Sequence, residues 1–185
     1  MKLKIYLQEP NGSWELYDGD LKVELYKRTI SIGEYASIGE YARIGEYARI
    51  GEYASIGKSA RIGEYASIGD SASIGDSASI GEYASIGKSA RIGDSASIGG
   101  FASIGKSARI ESIYGLIILS PLGSRQAPMT AYIHEKKIWI GTGCFFGTID
   151  DFEAQVKKVH AGKIHESEYL VALDYIRAKF ASKLK

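Results

Sequence analysis

Ile32-Gly33-Glu34-Tyr35-Ala36-Ser37 is followed at once by Ile38-Gly39-Glu40-Tyr41-Ala42-Arg43, and the same six-residue phrase runs thirteen times without a break, to Arg109. Every copy has Ile first, Gly second and Ala fifth. The third residue is Glu, Asp, Lys or Gly, the fourth Tyr, Ser or Phe, and the sixth Ser or Arg. Self-similarity at a fixed short period is the signature of a solenoid. Ala36 and Ile38 stand two apart and so share a strand face, with Ser37 pointing outward. Gly-Glu-Tyr or Gly-Asp-Ser then supplies the bend to the next short strand, with Gly relieving tight turns and close backbone approach. A helix requires apolar spacing near three and four, and a strict six drifts off that period. The tract reads as a parallel β-helix in which each hexad forms one wall.

The phrase Ile-Gly-x-x-Ala-x resembles the hexapeptide repeat of left-handed β-helix proteins, a family that includes many acyltransferases and the γ-class carbonic anhydrases. The resemblance covers about 80 of the 185 residues. It implies three hexads per triangular coil of 18 residues, and it implies the left hand, against the general preference for right-handed crossovers. On this reading the β-helix spans residues 32–120, and its tract from Ile32 to Ile110 makes about 4.3 coils, rising roughly 21 Å at the interstrand spacing. Three Ile stacks result: Ile32/50/68/86/104, Ile38/56/74/92/110 and Ile44/62/80/98. Fully burying one such side chain is worth about 1.5–3 kcal/mol. The fold class expected is mainly β: a left-handed parallel β-helix with an N-terminal β cap and a C-terminal α+β cap.

Residues 1–31 are expected to form the N-terminal cap. Lys2–Gln8 and Ser13–Tyr17 flank the turn signal Pro10-Asn11-Gly12 and read as a hairpin. Leu21–Leu25 alternates apolar and polar residues, as a half-buried strand does. Residues 121–185 are expected to form the second cap. Ile113–Leu119 suggests a last irregular coil strand and Pro121–Pro128 a loop. Met129–His134 and Lys137–Thr142 read as a hairpin across Glu135-Lys136. Thr148 and Asp151 have capping-box spacing, ahead of a helix that lines up Ile149, Phe152, Val156 and Val159 and meets a C-cap at Gly162. A second helix from about Glu166 to Ser182 aligns Tyr169, Leu173, Ile176 and Phe180. The tail also resembles the C-terminal segments of uncharacterised phage and bacterial proteins with hexapeptide-like repeats. Gly143–Phe152, Val159-His160 and Glu168-Tyr169-Leu170 carry this resemblance, which implies no activity.

Folded at 18, the outward positions sort into columns. Tyr47, Tyr65, Tyr83 and Phe101 stack as an aromatic ladder on one wall. Tyr35 and Tyr53 begin a second ladder that gives way to Ser71, Ser89 and Ser107, and Tyr41 is followed by Ser59, Ser77 and Ser95. The aromatic column reads both as cross-strand stabilisation and as a docking wall for the C-terminal helices or a second subunit. Glu46, Glu64 and Glu82 beside it read as solvated carboxylates in preference to a cation site. The mixed column Glu34, Glu52, Asp70, Lys88, Lys106 favours one register.

The resemblance implies a His base in acyltransferases and three His zinc ligands in the carbonic anhydrases. The tract from Ile32 to Arg109 has no His, no Cys and no inserted loop, so neither chemistry carries over. His134, His160 and His165 lie in the tail with Cys144. No ligand spacing among them supports a metal, and a Cys144–His160 nucleophile and base lacks an orienting third group. No catalytic residue, metal or cofactor is therefore expected. A formal charge of +1 and the absence of a basic aromatic stripe argue against nucleic acid, and no apolar run reaches the roughly 20 residues of a membrane span. A Thr-free tract argues against ice binding. The single Cys and the polar residues after Met1-Lys2-Leu3-Lys4 lead to an expected cytoplasmic location.

Thirteen hexads drawn from so small a menu are more regular than folding requires, since cores accept volume-conserving swaps. Recent duplication or deliberate idealisation of a repeat between borrowed caps would produce this, and idealisation is the reading preferred. The function expected is a non-catalytic structural scaffold. The alternative is a protein-binding or assembly module, phage-related in its tail, that uses the aromatic wall. A hexapeptide-repeat acyltransferase comes third. A homo-oligomer through a wall or the caps is the partner expected, with no small-molecule ligand.

Overall fold

The computed structural model describes residues 3–110 and 115–184. The chain divides into two compact units, Met1–Ile113 and Tyr114–Lys185.

In the first unit β1 (Leu3–Gln8) and β2 (Trp14–Gly19) form an antiparallel hairpin, with Leu7 opposite Glu15 and Gln8 opposite Trp14. A short helix, α1 (Lys22–Lys27), follows. Fourteen two-residue strands, β3 (Ser31–Ile32) to β16 (Arg109–Ile110), then recur every six residues. They build three parallel sheets: β3-β6-β9-β12-β15, β4-β7-β10-β13-β16 and β5-β8-β11-β14. Each strand pairs in register with the strand 18 residues on, Ile44 with Ile62 and Ile62 with Ile80. The unit is thus a parallel β-solenoid with 18-residue coils.

Two backbone bonds tie each hexad to the coil ahead. Ser55 N–H donates to Ala72 and Gly57 N–H to Ile74, at 2.8 and 2.7 Å. A third bond runs back to the preceding coil at the corner, as from Tyr65 N–H to Glu46 (3.0 Å). From Ala42 to Ile110 the Ile and Ala of every hexad are essentially fully buried.

Glycine plays one of the two parts its position suggested. A Cβ on Gly63 would stand 2.6 Å from the Glu82 nitrogen and 2.8 Å from the Gly81 carbonyl carbon of the next coil. The second position is therefore Gly because coils approach there backbone to backbone. The sharp bend falls instead on the fourth residue: Tyr, Ser or Phe, in all thirteen hexads, sits at φ between 55° and 61°. L-residues adopt that left-handed conformation at a cost, offset here by the corner hydrogen bond.

The N-terminal end closes in a way the repeat alone did not reveal. Leu21–Leu25, read above as a strand, lies largely in α1. Leu21 and Leu25 are four apart, so the same five residues suit a helical turn, and Leu25 N–H donates to Leu21 C=O. The vacant sheet slot below β5 is taken by β1, which runs parallel to it with Leu7 in register with Ile44. Leu7 and Ile5 are completely buried and extend the Ile44 and Ala42 stacks. The coil pattern also begins earlier than the repeat. Thr29 occupies the corner conformation (φ 53°), Tyr47 N–H donates to Arg28 C=O as Tyr65 does to Glu46, and Ile30 fills an Ala position.

In the second unit β17 (Leu116–Leu122), β18 (Ala127–His134), β19 (Lys137–Thr142) and β20 (Phe145–Thr148) form a four-stranded antiparallel sheet in sequence order. The expected hairpin across Glu135-Lys136 is present, with His134 opposite Lys137. Leu116–Leu119, expected as a last coil strand, instead pairs antiparallel with Met129–Tyr132. Ile113 lies outside the described residues. The expected loop shrinks to a turn at 123–126, since Pro121 ends within β17 and Pro128 within β18. Thr148 caps α2 (Ile149–His160) in a reciprocal capping box with Asp151. Gly162, at φ 69°, follows its end, and α3 (Ile164–Phe180) completes the unit with a 3-10 turn, Ala181–Lys183.

Ile149, Phe152 and Val156 of α2 and Tyr169, Leu173, Ile176 and Phe180 of α3 pack with Met129, Ala131, Ile138 and Ile140 of the sheet in one core. Val159, assigned to the same face, is 43% exposed. Arg177 joins the helices through Asp150 (3.0 Å) and Glu153 (2.6 Å). Ile164, Val171 and Tyr175 of α3 stay exposed on the side away from that core.

Candidate docking surface

The Tyr47, Tyr65, Tyr83 and Phe101 rings stack as the 18-residue period requires. Their centroids are 4.6, 4.8 and 4.9 Å apart and their planes lie within 4–6° of parallel. Rings in contact are about 3.5–4 Å apart plane to plane, so these overlap with an offset, like tiles, in the arrangement aromatic quadrupoles favour. The ladder runs along a corner, between the sheets of β5 and β6, because its residues carry the positive φ of the bend. It is therefore an edge of the prism and not the flat wall expected. The rings remain between 41% and 59% exposed. The second ladder stops at the Tyr35–Tyr53 pair (5.0 Å).

Partial burial first, then the neighbouring Tyr47 and Tyr83 and the Glu64 and Glu46 carboxylates, push the Tyr65 hydroxyl above the ordinary tyrosine range. Among the described residues no ion pair engages Glu46, Glu64 or Glu82. On the flanking sheet a shallow groove of about 360 Å³ lies between Trp14 and Phe101, with Arg61, Ser79 and Glu82 in its lining.

Trp14 reaches this groove because the hairpin brings it beside the first coil, where the Arg43 guanidinium lies 5.9 Å from its ring and 5.3 Å from that of Tyr6. The hairpin is held by a residue the sequence did not single out. Arg28, only 6% exposed, donates to Gln8 C=O (2.8 Å), Glu24 C=O (3.0 Å), the Glu24 carboxylate (2.8 Å), the Tyr17 hydroxyl (2.8 Å) and the Glu9 carboxylate. Burial opposes its charge, but the bonds to Glu24, Glu9 and Tyr17 outweigh it and hold the guanidinium above its usual range. A lone Arg before Thr-Ile gives no periodic signal, so only the closure of the hairpin on α1 exposes its role.

The tail residues separate into two small groups. Cys144 is exposed, with Arg125 Nη1 3.9 Å from its sulfur, at a groove of about 160 Å³ that His160 also lines. His160 and His165 meet edge to face at 6.2 Å, and His165 Nδ1 lies 3.2 Å from Glu168. Glu168 also accepts from Gly123 N–H (3.0 Å), the main reason its carboxyl is held below the usual range, with His165 second. His134 sits apart, against Trp139. Among the described residues no three His, Cys, Asp or Glu side chains converge as a metal site. No described helix is long and apolar enough to cross a membrane.

Compared with protein-family models and with curated proteins, the chain matches none.

Proposed function

We propose that the chain is a non-catalytic structural scaffold, an idealised left-handed β-solenoid of interchangeable coils. The observation that carries this reading is how completely packing accounts for each hexad. Ile and Ala fill the interior, Gly permits the close approach of coils, and the fourth residue makes the corner. The two remaining positions hold only Glu, Asp, Lys, Gly, Ser and Arg, residues of a solvated surface. Left-handed winding belongs to the same proposal and is supported by the likeness to the hexapeptide-repeat family. Calorimetric titration with acetyl-CoA tests the non-catalytic reading against the acyltransferase one. No binding heat is expected, and saturable binding would overturn it.

One observation favours a second reading, an assembly module: four stacked rings left half exposed along one edge. The partner on that reading is a second copy of the chain. Sedimentation of the Tyr65→Ser, Tyr83→Ser double variant decides it. Loss of a wild-type oligomer supports assembly through the ladder, and an unchanged mass rejects it.

A further inference from the structure

We propose that α3 of a second copy of the chain docks antiparallel on the exposed face of α3, over the groove between that helix and β17, to give a two-fold dimer. Ile164, Val171 and Tyr175 are 80%, 69% and 47% exposed. They stand seven and four residues apart, so with the exposed Ala178 they fall within about 60° of arc on the helix. That makes a continuous apolar strip. Beside it lies a groove of about 750 Å³, lined by Leu119, Leu122, Val171, Ala172 and Tyr175. β17 is the end strand of its sheet and pairs with β18 alone among the described residues. Pro121, which has no N–H, and the register break between Leu119 and Leu122 make that edge a poor template for another strand. The occupant is therefore held by side chains, as a helix laid along the groove would be.

Charge decides which helix. Glu168 and Lys179 lie within about 20° of each other around α3, on the flank of the strip nearer the groove, which Glu168 also lines. Contacts with Gly123 N–H and His165 Nδ1 fix the Glu168 carboxylate at the groove rim, with lone pairs to spare. Lys179 Nζ lies 5.7 Å over the Tyr175 ring and has no ion-pair partner among the described residues. Consider an antiparallel pair that sets Tyr175 of one copy against Val171 of the other. Glu168 of each copy then falls within about 1.5 Å, one residue's rise, of the level of the other copy's Lys179. Two ion pairs result, related by the two-fold axis, whereas a parallel pair would set like charges side by side. Glu168 and the exposed Asp174, on opposite flanks, disfavour an anionic lipid surface as the occupant. The 17 residues of α3 extend about 25 Å. A strip of that length falls short of the roughly 800 Å² that a stable interface covers on each partner, so the dimer is weak and concentration-dependent. The surface is distinct from the aromatic ladder, and the inference stands or falls separately from the scaffold reading.

Sedimentation equilibrium of the full chain, from micromolar to millimolar concentration, is the test. A monomer–dimer equilibrium with a micromolar or weaker dissociation constant is expected. Val171→Glu with Tyr175→Glu alters two exposed side chains outside the core of the unit and should weaken dimerisation at least about tenfold. Lys179→Glu should weaken it at least about threefold. Added salt should weaken the wild-type dimer but not that variant. Tyr65→Ser with Tyr83→Ser should leave the equilibrium unchanged, which separates this dimer from assembly through the ladder. Several results would overturn the proposal: a wild-type chain that stays monomeric throughout, a dimer that survives Val171→Glu with Tyr175→Glu, an unchanged or tighter dimer in Lys179→Glu, or a dimer lost with the ladder tyrosines.

Discussion

Asp76 Oδ1 accepts a 2.7 Å hydrogen bond from the backbone N–H of Lys58, the residue at the same corner one coil earlier. Asp94 does the same for Asp76 (2.9 Å) and Asp70 for Glu52 (3.2 Å). Glu64 and Glu82, one methylene longer, make no such bond to a described residue. The third position is therefore not simply a solvated one: Asp there satisfies a backbone donor that the corner otherwise leaves to water. Asp76→Ala should cost about 0.5–1 kcal/mol, the ordinary worth of one exposed intramolecular hydrogen bond. Glu64→Asp should recover a similar amount at its own corner. Equilibrium denaturation of both variants checks the pair.

Gly63→Ala tests the close approach of the coils. Its Cβ would fall on backbone atoms of the following coil, which cannot swing aside as a flexible side chain would. A loss of about 1–3 kcal/mol is expected, as for an overpacked core. An Ala variant as stable as wild type would show that the coils sit farther apart.

Ser77→Gly tests the corner. Ser77 sits at φ 56°, where a Cβ is unfavourable and Gly is not. A gain of about 0.5–1 kcal/mol is expected, read as a higher denaturation midpoint. Tyr83→Gly should show no such gain, because the same relief is offset by two lost ring contacts, to Tyr65 and Phe101.

Acid should loosen the N-terminal hairpin first. The Tyr17 hydroxyl and then Arg28 hold the Glu9 carboxyl below its usual range, and Lys27 and then Arg28 do so for Glu24. Groups whose folded pKa is depressed contribute their full stability above the unfolded value, about 4.3 for Glu, and lose it as the pH falls through the folded one. Tyr17 has the opposite sign. Burial and then Glu9 raise it, so its contribution is complete below about 10 and lost as the pH rises through its folded value. Amide exchange should show β1 and β2 losing protection below about pH 4 while β8 to β13 keep theirs. Arg28→Met should abolish that difference by loosening the hairpin at neutral pH as well.

What was legible in the sequence was whatever the period multiplies. Ile and Ala recur in every hexad, so once the family resemblance supplied a coil of 18 residues, the three Ile stacks and the spacing of Tyr47, Tyr65, Tyr83 and Phe101 followed by counting. The corner conformation was not legible, because Tyr and Ser carry no signal for positive φ and Gly drew the bend to itself. Elements used only once were harder. Leu21–Leu25 fits a strand by alternation and a helix by its four-residue spacing, and the choice was made by β1 filling the sheet slot those residues would have taken. Leu116–Leu119 is apolar enough for a coil strand, but its partner is Met129–Tyr132. Cap signals, by contrast, are local chemistry, and Thr148, Asp151 and Gly162 were placed correctly from side-chain type alone.

If the coils are interchangeable structural units, one can be removed whole. Excision of residues 56–73 joins Ser55 to Ile74 and keeps the phrase, all three Ile stacks and a continuous Tyr47, Tyr83, Phe101 ladder in register. Thermal unfolding of that shortened chain by circular dichroism is the most direct test of the scaffold. Repeat arrays gain stability by adding neighbour contacts, so a single cooperative transition at a modestly lower temperature is expected. A chain that no longer folds would contradict the account, because it would mean that one coil carries something its neighbours do not.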